Sequence, residues 1–287
     1  MAIKLIADSC CDTTAEIREE LDLDIVPLRI ILESGIEYID TVDLDVNDLL
    51  TNMHKSSGMK TACPSINDYA QLMYKYDECF IVTLADFLSG SYNAAVAAKN
   101  LVLEDCPDKK IHVFNSLNAC AGELKIVLFI HSLIKESLSF EEILRRGELF
   151  IENLATVFVL EDLSNLIKSG RMSKLTEKVA SFLGIFPVLY KLHVREIRMG
   201  AKARGHHNAL NKMVKYISDW TKRLPEKSIT IVLSNCEAPH HAQTVKNNIL
   251  SSCPAVADVL VVPTSGVSAV YANRGGVVIS FETALVY

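Results

Sequence analysis

The chain has little of what marks membrane-spanning, secreted or nucleic-acid-binding proteins. Its longest apolar run, residues 180–190, is well short of the ~20 residues that a transmembrane helix needs. The first residues lead directly into a predicted strand, without the charged and apolar regions of a signal peptide. A net charge of −6 without any long basic run argues against a general nucleic-acid surface. We therefore expect a cytoplasmic protein that binds no nucleic acid and at most touches membranes transiently.

Motifs of self-contained enzymes are also lacking. The sequence has no Gly-x-Ser-x-Gly, no Gly-Lys-Ser/Thr phosphate loop, no Gly-x-Gly-x-x-Gly and no His-Glu-x-x-His. None of the eight cysteines forms a Cys-x-x-Cys pair, so we predict reduced, mostly buried thiols and no metal site. These absences argue against an independent hydrolase, NTPase, dehydrogenase or metalloprotease.

Apolar runs alternate with amphipathic segments through the first half of the chain. Strands are predicted at residues 3–7, 25–32, 80–84, 111–115 and 155–160, and helices at residues 14–21, 46–53, 66–74, 93–103, 120–134 and 140–153. Such alternation predicts an α/β fold with a mainly parallel sheet that is covered by helices on both faces.

The second half predicts a different arrangement. Helices are expected at residues 163–168, 174–183, 208–223 and 239–250, and strands at residues 187–192, 196–201, 228–233, 256–262 and 277–285. The first two of these strands are predicted to form a hairpin. We place a boundary near residue 160, which predicts an N-terminal α/β domain of residues 1–160 and a C-terminal α/β domain of residues 161–287.

The most informative segment, residues 88–95, reads Leu-Ser-Gly-Ser-Tyr-Asn-Ala-Ala. It follows a predicted buried strand and opens a predicted helix. The first N–H groups of a helix are unpaired and carry partial positive charge, so Ser89 and Gly90 are placed to cradle an anion. Serine is also a common helix cap, and Ser91 is expected to act as one. By itself the segment fits an anion site or plain capping.

Other segments favour the anion site. Residues 59–65 read Met-Lys-Thr-Ala-Cys-Pro-Ser, and residues 169–174 read Ser-Gly-Arg-Met-Ser-Lys. With the Leu-Ser-Gly-Ser-Tyr turn, an early Asp-Ser pair and the Val-Pro-Leu at residues 26–28, they resemble the DegV family of bacterial fatty-acid-binding proteins. The resemblance covers almost the whole chain. It implies two α/β domains with a lipid site between them and the last strand close to that site.

The resemblance also implies roles for particular residues. Thr61 and Ser89 would hold the ligand carboxylate, and Gly90 would lend its backbone N–H. The family usually has serine where this chain has Ala62, so one hydroxyl is missing at a position that is still expected to line the site. Cys63 lies in the same segment and is predicted to line the site as well.

Basic residues extend this prediction towards a partner. Arg171 matches the arginine of the family's Gly-Gly-Arg segment, which implies a position near the ligand head and the kinase-facing surface; capping of the preceding helix is the alternative. Lys202 and Arg204 match a basic family segment and are predicted to face a partner protein, with plain solvation as the alternative. Ser9 is predicted to line the entrance, because α/β sheets bind ligands at the carboxyl ends of their strands; a structural role in the turn is the equal alternative.

The chain departs most from the family near its end. Where the family usually has His-x-Gly-Pro-Gly, this chain has Ala-Asn-Arg-Gly-Gly at residues 272–276. Losing the histidine has weight, because burying a carboxylate without enough donors is costly. We predict that Ala272 lines the site and that Arg274 or Asn273 supplies the missing donor, an arginine fork being the stronger. A different ligand head group, or a solvated Arg274, remains open.

The function that the resemblance implies is that of a cofactor-free carrier. It would present a bound long-chain fatty acid to a separate fatty acid kinase subunit, which would form the acyl phosphate. The alternative is a binder or sensor of another small anion or of a lipid with a different head group. It is suggested by Ala62, by Ala272 and by Ala85, where the family often has a serine. A third hypothesis, a Ser- or Cys-dependent acyl transferase, lacks a visible general base near Ser89 or Cys63.

Overall fold

The structure, a computed structural model, describes residues 3–172, 184–192 and 195–286. It confirms the α/β class and a parallel sheet in the N-terminal part. The predicted helix at residues 174–183 lies outside the described residues.

The bounds of the elements follow the predicted periodicities in most places. The strands are β1 (Lys4–Asp8), β2 (Leu23–Val26), β3 (Arg29–Leu32), β4 (Glu37–Ile39), β5 (Met59–Ala62), β6 (Glu78–Thr83), β7 (Lys110–Asn115), β8 (Leu154–Val159), β9 (Ile185–Lys191), β10 (Arg198–Arg204), β11 (Ile229–Asn235), β12 (Val256–Pro263) and β13 (Val277–Glu282). The helices are α1 (Ala15–Glu20), α2 (Val46–Lys55), α3 (Ile66–Met73), α4 (Ser91–Asp105), α5 (Ala121–Lys135), α6 (Phe140–Glu152), α7 (Ser164–Lys168), α8 (His206–Thr221), α9 (Pro239–Ser252) and α10 (Gly266–Ala272).

The first sheet is four-stranded and parallel, in the order β2-β1-β6-β7. Its strands are apolar over nearly their whole length because both faces of the sheet are covered. One face packs on α3 and α4, whose small and apolar side chains form a buried cluster with it. The carboxyl ends of β6 and β7 open towards the second sheet.

The predicted strand at residues 25–32 is in fact two strands in different sheets. β2 belongs to the parallel sheet, whereas β3 is the centre of a three-stranded antiparallel sheet with the order β4-β3-β5. Pro27 stands between them, and a proline cannot donate to a sheet hydrogen bond. The sequence prediction was therefore wrong in joining them, and it missed β4 and β5.

The second sheet is six-stranded, in the order β10-β9-β8-β13-β11-β12. The β11–β12 pair is parallel, and every other pair of neighbouring strands in this sheet is antiparallel. The antiparallel β9–β10 pair confirms the predicted hairpin. α8 and α9 cover the outer face. β8, placed in the N-terminal domain by the sequence analysis, pairs with β9 and β13, so the change from one sheet to the other falls before β8.

Helix α5 lies between the two large sheets. It contacts β1 and β6 on one side and β8, β11 and β13 on the other. Its first turns are buried all round, from Ala121 to Val127, as expected for a helix without a solvent-facing side. The candidate site is a cavity whose described wall includes residues at the ends of β6 and β7 and residues of β8, β9 and β13.

Candidate functional site

An apolar cavity lies between the sheets. It encloses about 870 Å³, a figure that includes space open to solvent. Its wall combines loops at the carboxyl ends of β6 and β7, the inner face of the six-stranded sheet, and α10. Apolar side chains dominate, among them Leu28, Leu84, Phe87, Phe158, Leu160 and Val278.

Three polar side chains meet in one part of this wall, and we call Thr61, Arg171 and Tyr271 the hydroxyl–guanidinium cluster. The Thr61 Oγ1 and Tyr271 OH atoms lie 2.9 Å apart. Arg171 donates through Nη1 to the Tyr271 OH at 2.7 Å and, at 3.5 Å, through Nη2 to Thr61 Oγ1. Its guanidinium also lies 4.8 Å from the centre of the Tyr271 ring, a cation–π distance. The cluster thus holds a cation and two hydroxyls at the edge of an apolar space.

Local structure places each member of the cluster. Thr61 is in β5 opposite Ile30, and the strand ends before Pro64. Ser65 then begins α3 with a capping box, so the chain turns sharply away just after Thr61. Arg171 is tied to the first sheet's loop, because its Nε donates to the Leu88 carbonyl at 2.8 Å.

Tyr271 lies in the last turn of α10, and Asp40 anchors the start of that helix. The Asp40 carboxylate accepts from the N–H groups of Gly266 at 2.7 Å and Val267 at 3.0 Å. Burial raises the pKa of Asp40 to about 6. A Cβ on Gly266 would lie 2.7 Å from an Asp40 oxygen, so only glycine permits this approach. Asp40 thereby fixes the helix that carries Tyr271.

Ser9 does not line the entrance; its hydroxyl is bonded to the Asp40 carboxylate. Its Oγ donates to Asp40 at 2.8 Å and accepts from the Leu28 N–H at 3.0 Å. It is fully buried and is not among the described residues of the cavity wall. The prediction that Ser9 lines the site is corrected, because its hydroxyl is used inside the protein.

The buried carboxylate of Asp8 stabilises the turn from β6 to α4 by hydrogen bonds to both ends of it. The Asp8 carboxylate accepts from the Leu84 N–H at 2.8 Å and from Ser91 Oγ at 2.6 Å, and burial raises its pKa. Ser91 is therefore a buried support and not the expected cap. Ser89 Oγ accepts from the Ser91 N–H at 3.2 Å, and Ser89 lines the cavity. Gly90 is the exposed N-cap and is outside the described part of the wall.

The segment after Thr61 contributes less than expected. Thr61 lines the cavity, but Ala62 and Cys63 are not among the described wall residues. Cys63 is exposed and packs on the turn, since a Cβ on Gly90 would lie 3.2 Å from its Sγ. That Ala62 and Cys63 line the site therefore stays a prediction.

The predicted replacement donors also lie elsewhere. The chain leaves α10 with positive φ at Asn273 (55°) and Gly275 (91°), which turns Arg274 towards α2. Arg274 Nη2 donates there to the Asn47 carbonyl and to Thr51 Oγ1, both at 3.2 Å. Neither Asn273, which is buried, nor Arg274 is among the described wall residues. The expectation that one of them completes the site stays a prediction, whereas Ala272 does line the cavity.

The residue that the sequence analysis missed is Tyr271, directly before the position of the lost histidine. Its hydroxyl lies 2.9 Å from Thr61 Oγ1 and accepts from Arg171 Nη1 at 2.7 Å. The sequence held one signal for it: a single tyrosine in a run of small residues, directly before the position at which the chain departs from the family pattern. Also missed was a second polar part of the wall, formed by Asn118, Thr156 and Lys191.

Two further predictions concern the surface and bound ions. Lys202 and Arg204 are exposed on β10, the edge strand of the six-stranded sheet, and their partner role stays a prediction. Within residues 3–172, 184–192 and 195–286, no group of three or more His, Cys, Asp or Glu side chains could hold a metal ion. In the same residues, no helix combines the length and apolar character needed to cross a bilayer.

Two sheets that enclose an apolar cavity, with a cation and hydroxyls in one part of its wall, define a ligand-enclosing α/β protein. The chain belongs to the DegV family, whose model, described as "Uncharacterised protein, DegV family", matches residues 2–284. A DegV domain-containing protein of Streptococcus pneumoniae is 32% identical over 285 residues, which are 98% of this chain and 99% of the relative.

Solved structures agree with this assignment. A DegV family protein of Ruminococcus gnavus, refined with vaccenic acid, superposes with a TM-score of 0.91 at 35% identity and covers 98% of this chain and 99% of its own. The Streptococcus pneumoniae Fatty Acid Kinase (Fak) B3 protein, loaded with linoleic acid, has a TM-score of 0.89 at 32% identity and covers 99% and 100%. A Eubacterium eligens family member loaded with heptadecanoic acid has a TM-score of 0.88 at 29% identity, with the same coverage.

Proposed function

We propose that this protein is a cytoplasmic fatty-acid carrier that encloses one long-chain fatty acid and presents its carboxylate to a separate kinase. The observation that carries the proposal is the hydroxyl–guanidinium cluster in the wall of an apolar cavity. Family members with bound vaccenic, linoleic and heptadecanoic acids support it.

In this proposal the carboxylate replaces the contacts within the cluster. Arg171 donates two N–H groups to the carboxylate, a charge-assisted arrangement that is stronger than its present bonds to neutral hydroxyls. Thr61 and Tyr271, now bonded to each other, turn their hydroxyl protons to the carboxylate. Ser89, which also lines the cavity, adds a further hydroxyl. Tyr271 thus supplies the donor that the loss of the family histidine removes.

The acyl chain supplies most of the gross binding free energy. Burying each methylene yields ~0.8 kcal/mol, so a long chain yields on the order of 10 kcal/mol before the costs of ordering. The head group then needs enough donors to offset the loss of its hydration. A small anion alone would leave the apolar wall in contact with water, so the alternative of a small-anion sensor is less well supported.

We also propose that the chain does not carry out acyl transfer itself. No histidine is among the described residues of the cavity wall, so Ser89 has no imidazole base there. Cys10 lines the wall, but its contact with Cys120 and its burial raise the pKa of its thiol well above the ordinary value, which disfavours the thiolate nucleophile. The partner would be an ATP-dependent fatty acid kinase subunit that approaches Lys202 and Arg204.

Native mass spectrometry of the purified protein, with solvent extraction of its contents, tests the carrier. We expect one fatty acid per chain. The double variant Thr61→Val, Tyr271→Phe should retain far less of it, whereas Tyr74→Phe, a control at an exposed tyrosine outside the cavity wall, should match the unchanged protein. A protein that stays empty when offered fatty acids would refute the proposal.

The kinase step needs its own experiment. Loaded protein is mixed with ATP and a fatty acid kinase subunit, and acyl phosphate is measured. Reversing the charges with Lys202→Glu and Arg204→Glu should slow formation of the acyl phosphate while leaving the bound fatty acid in place. Equal rates with and without these substitutions would remove β10 from the proposed contact.

A further inference from the structure

Lys191 is a buried cation that the proposed head-group site does not use. It is only 4% exposed and lines the cavity. Among the described residues, its Nζ has one hydrogen bond, to the Leu154 carbonyl at 3.4 Å, and no ion pair with a carboxylate. Burial lowers its pKa to about 8, so most molecules still carry the charge at neutral pH. A buried ammonium with one long contact is costly unless something else satisfies it.

The register of the sheet shows which way Lys191 faces. Lys191 of β9 is the direct partner of Thr156 in β8, and partners in an antiparallel pair project to the same face. Thr156 lines the cavity and donates to Asn118 Oδ1 at 2.7 Å. We call Asn118, Thr156 and Lys191 the Lys191 pole of the cavity.

The Lys191 pole is separated from the hydroxyl–guanidinium cluster along β8. Thr156, Phe158 and Leu160 all line the cavity at alternate positions, and Thr156 to Leu160 spans about 13 Å at roughly 3.3 Å per residue. Beyond Leu160 the chain enters α7, where Asn165 Nδ2 donates to the Val270 carbonyl of α10 at 2.7 Å. Tyr271 follows directly, so the head-group cluster lies towards the Leu160 side and Lys191 towards the Thr156 side.

We propose that the Lys191 pole binds an oxygen on the acyl chain, so that the protein takes a fatty acid with a hydroxyl, keto or second carboxyl group in the far half of its chain. This inference rests on the proposed fatty-acid carrier function. A ligand oxygen gives the ammonium a second acceptor, and the Thr156 and Asn118 groups complete a polar pocket around it. A plain acyl chain would instead place methylenes against an unsatisfied charge.

The test compares dissociation constants of palmitic acid with those of hydroxypalmitic acids whose hydroxyl is placed from the middle to the end of the chain. These dissociation constants are measured for the unchanged protein, for Lys191→Met and for Lys222→Met. Lys222 is an exposed lysine at the C-cap of α8 and serves as the matched control. We expect at least one hydroxy acid to bind the unchanged protein and the control about tenfold more tightly than palmitic acid, from a charged hydrogen bond in a dry site. Lys191→Met should abolish that preference and bind palmitic acid at least as well.

The outcomes separate this inference from the carrier function. If palmitic acid binds but no hydroxy acid is preferred, or if Lys191→Met weakens all the acids equally, the Lys191 inference is refuted and the carrier stands. If neither palmitic acid nor any hydroxy acid binds to the unchanged protein, both are refuted. A preference that is lost only in Lys191→Met supports the oxygen-binding pole.

Discussion

The cavity wall holds two cations in opposite circumstances. Arg171 is half-buried and bonded to the Leu88 carbonyl and the Tyr271 hydroxyl, with its plane against an aromatic ring. Lys191 is more deeply buried and has one long bond to a carbonyl. The first charge is oriented by the protein's own groups before any ligand arrives. The second is kept in the wall at a cost to stability, and such a cost is typical of groups that serve a ligand.

The largest expected effect is on stability and concerns Lys191. A folded-state pKa of about 8, against an ordinary 10.5, means that folding the charged form costs about 3 kcal/mol, at about 1.4 kcal/mol per pKa unit. Lys191→Met should therefore raise the free energy of unfolding at neutral pH by up to that amount, as measured by urea denaturation.

The pH dependence gives this prediction its sign. Between about pH 8 and pH 10.5 the folded state binds fewer protons than the unfolded state at Lys191, so stability rises with pH over that window. The advantage of Lys191→Met should be full below pH 8 and should shrink as the pH rises to 10. If the difference in the free energy of unfolding between the two proteins is absent or does not change with pH, burial of the Lys191 charge does not destabilise the fold.

Removing the charge of Arg171 should be harmful, in contrast to removing that of Lys191, and the effect should be on ligand affinity. Arg171→Met should weaken binding of palmitic acid by about 2 kcal/mol, roughly thirtyfold, because it removes charged hydrogen bonds to the carboxylate. Isothermal titration calorimetry measures the change. Arg274→Met is the matched control, since Arg274 contacts α2 outside the described wall. Equal losses in both variants would restore Arg274 as a ligand donor and overturn the assignment made from the geometry.

Asp40 anchors the start of α10, the helix that carries Tyr271 of the hydroxyl–guanidinium cluster. Asp40→Ala should destabilise the protein by about 2 kcal/mol, because the N–H groups of Gly266 and Val267 lose their buried acceptor. Ligand affinity should fall with it, since α10 positions Tyr271. An unchanged melting temperature would show that α10 does not depend on this anchor.

Asp40 also predicts a dependence on acidic pH. Its folded pKa of about 6 is above the ordinary 3.8, so the folded state binds more protons than the unfolded state between about pH 4 and pH 6. Its contribution to stability therefore falls as the pH rises through that window. Comparing the unchanged protein with Asp40→Asn isolates this slope from that of Asp12, whose pKa burial also raises to about 6.

The smallest effect is expected at Tyr271. Tyr271→Phe keeps the ring beside Arg171 and removes one hydroxyl, which should weaken fatty-acid binding by about 1 kcal/mol, roughly fivefold. The same titration measures it, with Tyr74→Phe as control. A loss as large as that of Arg171→Met would mean that the hydroxyl, and not the cation, dominates recognition of the head group.

Long periodic elements were predictable from the sequence because their side chains repeat a single environment. α6 and α2, each with a clear apolar stripe, and the buried strands β6 and β8 were expected within a few residues of their bounds. β4, β5 and α10 were missed, since they are short and owe their form to neighbouring elements. β5, for example, is half-exposed and exists because β3 pairs with it.

The site was predictable as far as local motifs reach. Thr61, Ser89 and Arg171 lie in segments that the sequence alone marks, and all three line the cavity. Tyr271 could not be assigned, because its role depends on the unpredicted α10 and on distant Arg171. Lys191 had a signal, a charge in an otherwise apolar strand, but only the register with Thr156 shows that it faces the cavity.

Helix α5 has a consequence for how the protein unfolds. It packs against strands of both large sheets, and its first turns have no solvent-facing side. Separating either sheet would expose that apolar surface, so opening one half of the molecule is coupled energetically to the other. The backbone amides in the buried turns of α5 should therefore exchange their hydrogens only through global unfolding, and the two halves should melt in one cooperative transition.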